Sequence, residues 1–251
     1  MPAEGHLLFI VNVNTRGLLV HILVNDITVY TNNGRQASFG GKINPFILPA
    51  GNIVTIALGL PPSAPDPPRF RMNIQRAFQG ADPGEEGILS RFTWSGQSLA
   101  PAPAEVFRGA FDAPEIWWRP RWISLPPVLA SNAELERFVL DFVHSLQTGD
   151  IERLTTLHMP SFLELQDSLG FDAEQLASNF RERLRALMAD PTFTVLPVDL
   201  RRLRYTPEAG GRMVRISLES GDPPIMTQRA EGFVPFAFTV SRVDGQLRII
   251  R

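Results

Sequence analysis

Near residue 130 the spacing of apolar residues changes period, and no other feature constrains the fold of this chain as strongly. Upstream, short apolar runs alternate with polar residues, the pattern of strands with one buried face. Leu18, Val20, Ile22 and Val24 share one face of LLVHILVN; Phe70, Met72 and Ile74 share one face of RFRMNIQRAF. Downstream, Leu135, Phe138, Val139, Phe142, Val143 and Leu146 recur at i, i+3, i+4, i+7, i+8 and i+11, the stripe of an amphipathic helix. Strand-like alternation returns after Asp190-Pro191. A chain with this order builds a sheet-rich part first, and then helices followed by a second sheet.

The turn chemistry sharpens the first part. LLFIVNVN and LLVHILVN read as strands, and Asn25-Asp26 closes a hairpin onto ITVYTNN. Asn33-Gly34 and Gly40-Gly41 mark further turns. In INPFILPAGNIVTIALGL, Pro49-Ala50-Gly51-Asn52 is expected to turn between two apolar strands. PPSAPDPP, ADPGEEG and SGQSLAPAPAE read as loops, and ILSRFTW as a strand. Many short strands separated by Gly and Pro predict an antiparallel β-sandwich, jelly-roll or Ig-like, over residues 1–125. Residues 126–130 form a proline-rich linker stiffened by Pro126-Pro127.

From residue 131 to 251 the signals are those of helices and then an antiparallel sheet. Ser131 and Glu134 form a capping box for the first helix. Gly149 ends it, and Asp150 caps a short second helix, IERLTTLH. MPSFLELQDSLG reads as a third helix, and Asp172 with Gln175 caps a fourth that carries Leu176, Phe180, Leu184, Leu187 and Met188 on one face. FTVLPVDLRRLRY reads as one long strand, RMVRISLES as the next, and GFVPFAFTVSRV pairs with QLRIIR across Asp244-Gly245. The fold class is α+β in two domains.

This second part resembles the SnoaL-like (NTF2-like) α+β cone family. The resemblance is carried by FVLDFVHSLQTGDIERLTTLHMPSF, residues 138–162, and by the closing hairpin TVSRVDGQLRIIR. It covers about half the chain. The two strands which that family often places before its third main helix are not legible here. The resemblance implies a curved sheet wrapped around helices, leaving a cone-shaped pocket. Family members include dehydratases, cyclases and isomerases, and also noncatalytic binding and dimerisation domains, some of them immunity proteins. In the first part, HILVNDITVY followed by ILPAGNIVTIAL resembles galactose-binding-like jelly rolls.

Composition removes several chemistries. There is no cysteine, so disulfides, thiol nucleophiles and thiolate metal sites are excluded. The net charge of -2 gives no global reason to expect nucleic acid or an anionic membrane as a partner. Lys42 is the sole lysine, and a GC-rich genome accounts for the arginine bias. The N-terminus lacks a basic segment before its apolar run, so a cytoplasmic protein is expected. GxSxG, Walker and GxGxxG motifs are absent, and no cofactor is implied. His6, His21, His144 and His158 show no i, i+4 pairing, and no metal site is expected.

EIWWRPRW, residues 115–122, concentrates Trp117, Trp118, Trp122, Arg119 and Arg121, residue types enriched where proteins bind one another. An intramolecular joint between the two domains weighs more heavily than a ligand site, because large aromatics act mainly through burial. Stacking on sugars would require an exposed coplanar pair of tryptophans. Arg201, Arg202 and Arg204 are candidates for an acidic partner, beside the plainer reading of a solvated charged face. His158, Asp141 and Tyr205 are the candidate acid–base residues of a cone, with His144 and Asp199 nearby. A cone plugged by Phe233, Phe236 and Phe238 would remove that option. The sequence thus favours a noncatalytic, bacterial-type protein-recognition module, adaptor or immunity factor, with another protein as partner and a homodimer as a family expectation. The alternative is a SnoaL-like enzyme acting on a small hydrophobic ligand.

Overall fold

The computed structural model describes residues 6–61, 67–81, 84–95 and 105–251. The stretches PPSAPDPP, ADPGEEG and SGQSLAPAPAE lie partly outside these residues. The fold is α+β, and the chain forms two compact units, Met1–Pro120 and Arg121–Arg251.

The first unit holds β1 (Leu7–Arg16), β2 (Leu19–Val24), β3 (Ile27–Asn33), β4 (Ala37–Lys42), β5 (Asn52–Gly59), β6 (Arg69–Phe78), β7 (Ile88–Trp94) and β8 (Glu105–Phe111). They build two antiparallel four-stranded sheets, ordered β4-β1-β6-β7 and β3-β2-β5-β8. Alternation decides which side chains each sheet buries: Phe9, Val11, Val13, Phe70, Met72 and Ile74 on one, Val20, Ile22, Val24, Val54, Ile56 and Leu58 on the other. Tyr30 of β3 meets Phe39 of β4 at 5.0 Å, and Phe92 of β7 meets Phe107 of β8 at 4.7 Å, so aromatic rings bridge the two sheets at both edges. The β2–β3 hairpin turns at Asn25 and Asp26, both with positive φ (52° and 63°), as a tight two-residue hairpin requires.

Two expectations for this unit are corrected. INPFIL is not a strand. Residues Asn44–Phe46 form a 3-10 turn with Pro45 at its start. The Asn44 side chain replaces ladder bonds there: its Oδ1 accepts from Phe9 N at 2.8 Å and its Nδ2 donates to the Leu7 carbonyl at 2.7 Å. Gly40-Gly41 is not a turn but lies inside β4. A Cβ on Gly41 would meet the tip of the Phe39 ring at 2.5 Å, so the bare glycine leaves room for that ring on the strand.

The second unit begins with α1 (Asn132–Thr148), α2 (Ile151–Leu169) and α3 (Ala173–Met188). Ser131, Asp150 and Asp172 each cap a helix, accepting from the backbone N of Glu134, Arg153 and Gln175. Gly149 and Gly170 close α1 and α2 in the left-handed conformation. The strands follow: β9 (Thr194–Val195), β10 (Leu203–Glu208), β11 (Met213–Leu218), β12 (Ile225–Arg229), β13 (Gly232–Phe236), β14 (Phe238–Val243) and β15 (Gln246–Ile249). They form a β10-β11-β14-β15 sheet and a β13-β12-β9 sheet. The core is the α1 stripe packed with Leu154, Leu157 and Leu184 against Ile216, Phe238, Val240 and Ile249.

Three expectations change here. The second and third short helices are one helix, α2, which runs through Pro160. FTVLPVDLRRLRY is broken: β9 is two residues long, a 3-10 turn spans Leu200–Arg202, and β10 starts at Leu203. Pro197 lacks the N–H that a continuous strand needs, and Asp199 folds the chain over by accepting from Arg201 N. GFVPFAFTVSRV changes sheet at Ala237, leaving β13 in one sheet and β14 in the other. β12 was not anticipated from IMTQR; it is held between β13 and β9 by long-range pairing.

Candidate functional site

The acid–base candidates do not converge. His158 lies inside α2, not in a loop at the mouth of a cone, because α2 continues past it. Its ring is ringed by Phe142 (5.9 Å), Phe162 (6.1 Å) and Phe180 (4.5 Å), one aromatic from each helix. Nδ1 lies 2.9 Å from the Leu154 carbonyl, which can only accept, so Nδ1 carries the proton. Burial holds the imidazole below its ordinary pKa, and the hydrogen bond to Leu154 opposes that shift only in part. Asp141 and His144 are exposed on α1. Tyr205 of β10 pairs with Ile216 of β11, and its hydroxyl is enclosed without a hydrogen-bond partner among the described residues. Burial, with a smaller contribution from Glu136, pushes its pKa up to about 12.

The space between helices and sheet is occupied by aromatic rings. Phe238 is buried, 5.2 Å from Phe142 and 5.7 Å from Phe138, and Phe236 packs on Phe142 at 5.7 Å. Phe233 is exposed and takes no part in this cluster. A cavity of about 150 Å³ lies between Leu196, Val198, Asp199, Arg202, Leu218 and Met226; none of the three candidates lines it, and it is smaller than the usual small-molecule site. Among the described residues no group of three or more His, Asp or Glu is placed to hold a metal ion.

The arginines of this unit are distributed rather than gathered. Arg201 pairs with Asp199 at 3.2 Å, Arg204 pairs with Glu219, and Arg202 is exposed in the 3-10 turn. Two buried acids escaped sequence reasoning: Glu208 of β10, which pairs with Arg215 at 3.3 Å, and Glu164. Glu164 of α2 accepts from Arg121 N at 2.8 Å, while Arg121 Nε meets Asp167 at 2.6 Å. A glutamate seven residues after Leu157, on the buried stripe of the helix, was the available signal.

The tryptophan-rich segment spans the boundary between the units. Trp118 belongs to the first, buried 6.1 Å edge-on to Phe9 with Nε1 donating to the Asn44 carbonyl at 3.1 Å. Trp117 is 70% exposed and stands at 86° to Trp118, so the two do not make the coplanar platform that sugar stacking requires. Arg119 is exposed. Trp122 is buried and belongs to the second unit, as does Arg121.

Exposed apolar surface gathers instead on the outward face of the β3-β2-β5-β8 sheet. Leu19 (39% exposed), Ile53 (51%) and Val106 (58%) stand there. Cross-strand register places Ala57 beside Val106 and Ala110 beside Ile53, with Leu23 opposite Thr55. His21 is engaged with Thr28 at 2.9 Å, and Arg108 is the one formal charge among these strand positions. Comparison with known protein families, with curated proteins and with solved structures returns no match for this chain. No helix among the described residues is long and apolar enough to cross a membrane.

Proposed function

We propose that the chain is a noncatalytic protein-recognition module, a β-sandwich of jelly-roll or Ig-like type followed by a SnoaL-like α+β domain. The observation that carries this reading is the outward face of the β3-β2-β5-β8 sheet. Leu19, Ile53 and Val106 are large apolar side chains in water on a sheet face with a single charge, where a solvated sheet face ordinarily alternates to polar residues. Leu19, Ile53 and Val106 keep 39–58% of their surface in water, so covering the rest would contribute roughly 1 kcal/mol each, about half the value for a whole side chain. The acid–base alternative is not favoured: Asp141 is in solvent, His158 is ringed by phenylalanines, and Tyr205 holds its proton to about pH 12.

The test is affinity capture from the source organism's lysate with mass spectrometry, comparing wild type with an Ile53→Lys, Val106→Lys variant. Both positions are exposed, so the melting temperature should not move. The expected result is one stoichiometric protein partner captured by wild type and lost from the variant. A partner retained equally by the variant removes this face from the proposal, and sedimentation of the purified chain shows whether that partner is a second copy.

A further inference from the structure

The opposite face of the same unit carries a different chemistry. On the β4-β1-β6-β7 sheet the outward positions are Ile10, Asn12, Asn14 and Arg16 on β1, Arg69, Arg71, Asn73 and Gln75 on β6, Ser38, Gly40 and Lys42 on β4, and Arg91 and Thr93 on β7. Five of these are basic and none is acidic. The described acids of the unit, Asp26, Glu85, Glu86, Glu105, Asp112 and Glu115, occupy none of these positions.

Pairing does not neutralise this face. Elsewhere arginines find carboxylates: Arg76 with Glu115, Arg121 with Asp167, Arg242 with Glu134. Arg91 is matched by Glu85. Arg16, Arg69 and Arg71 have no carboxylate partner among the described residues, and all three are exposed. Arg16 stands directly opposite Arg69 in the β1–β6 register, so like charges are held side by side. An anion relieves that repulsion. Arg69 and Arg71 line an open depression of about 480 Å³ together with Asn14, Phe70, Thr93, Trp94 and Ser95.

We propose that this face binds an extended acidic peptide segment of a partner protein, with Arg69 and Arg71 taking its carboxylates. Two residues apart on one strand, they stand about 6.8 Å from each other, and alternate side chains of an extended peptide repeat at the same spacing. Each guanidinium can bind a carboxylate through two parallel N–H bonds, and Asn14, Thr93 and Ser95 are placed to bond the peptide backbone. A single-stranded nucleic acid fits the face less well, because such surfaces offer outward aromatic rings for base stacking. None of the outward strand positions is aromatic; of the two aromatic residues that line the depression, Phe70 is 1% exposed and Trp94 is half-buried, so neither offers a free outward ring face on the scale of a stacking platform. This face and the apolar one are separate, so either proposal can fail alone.

The experiment is fluorescence anisotropy with the full chain and a fluorescein-labelled decaglutamate peptide. Binding is expected at low salt and should weaken about tenfold or more as salt rises from roughly 50 to 500 mM. Arg69→Ala with Arg71→Ala should weaken it about tenfold or more. Arg108→Ala, on the other sheet, should leave it unchanged, and all variants should melt with wild type. The proposal is overturned if decaglutamate does not bind at low salt, or if Arg108→Ala loses as much as the double variant. It is equally overturned if an oligo(dT) of matched charge binds more tightly, or if millimolar inorganic phosphate displaces the peptide as a simple anion would.

Discussion

Glu164 is 3% exposed, with one carboxylate oxygen accepting from Arg121 N and the other without a partner among the described residues. Burial pushes its pKa from 4.5 up to about 7; the Arg121 hydrogen bond and charge pull it down, and Asp167 adds to the rise. The native state therefore keeps a proton that the unfolded chain has released. Stability conferred by that proton is whole below about pH 4.5, falls as pH rises toward 7, and is gone above it. The full difference is roughly 3 kcal/mol. Glu164→Gln keeps an acceptor for Arg121 N and removes the titration. Urea unfolding followed by far-ultraviolet circular dichroism reads the second unit, since α1, α2 and α3 all lie there. Wild type is expected to lose stability relative to the variant between about pH 4.5 and 7; parallel profiles would show that Glu164 titrates as an ordinary surface carboxylate. His158 runs the other way: its lowered pKa makes the neutral form native, so that contribution is lost as pH falls below 6.5.

At the scale of elements, α2 is the helix that local rules would divide. Pro160 cannot donate to the Thr156 carbonyl, and a proline inside a helix costs about 3 kcal/mol relative to alanine. Leu154, Leu157, Phe162 and Leu169 are buried on either side of it, and His158 is gripped by aromatics from all three helices. That packing holds the helix through the break. Pro160→Ala should raise the stability of the second unit by about 1–3 kcal/mol, seen as a higher melting temperature by circular dichroism. A lower melting temperature would mean that the half-buried ring contributes more by packing than it costs in the helix. The same contrast marks what was legible in the sequence. Features set by neighbours in the chain could be read directly: the caps at Ser131, Asp150 and Asp172, the stop at Gly149, the hairpin turns at Asn25-Asp26 and Asp244-Gly245. Features set by distant partners could not. β12 exists because β9 and β13 flank it, and the INPFIL segment is turned by Asn44 reaching back to Leu7 and Phe9.

At the scale of the whole molecule, net charge conceals distribution. With 24 basic and 26 acidic residues the chain is nearly balanced, and its overall charge of -2 gives no hint of a basic surface. The period-two pattern of RFRMNIQRAF already placed Arg69 and Arg71 on one face, but which strands lie beside them, and that Arg16 stands opposite Arg69, follows only from the β1–β6 pairing. The apolar face was hidden for the same reason: Leu19, Ile53 and Val106 come from three strands far apart in sequence. Segregation has a measurable consequence. An evenly charged protein of pI about 6.1 passes through a sulfonate cation-exchange column at pH 7.5. This one should be retained at low ionic strength, where screening acts over about 30 Å at 0.01 M salt, and elute as that range contracts to about 10 Å at 0.1 M. Retention requires a resin that sees one face and not the average. Arg69→Ala with Arg71→Ala should flow through under the same conditions, whereas Arg108→Ala, which changes the net charge by one unit on the other sheet, should elute close to wild type. If wild type also flows through at 0.01 M salt, the acidic residues elsewhere cancel the field of this face, and it has no reach beyond direct contact.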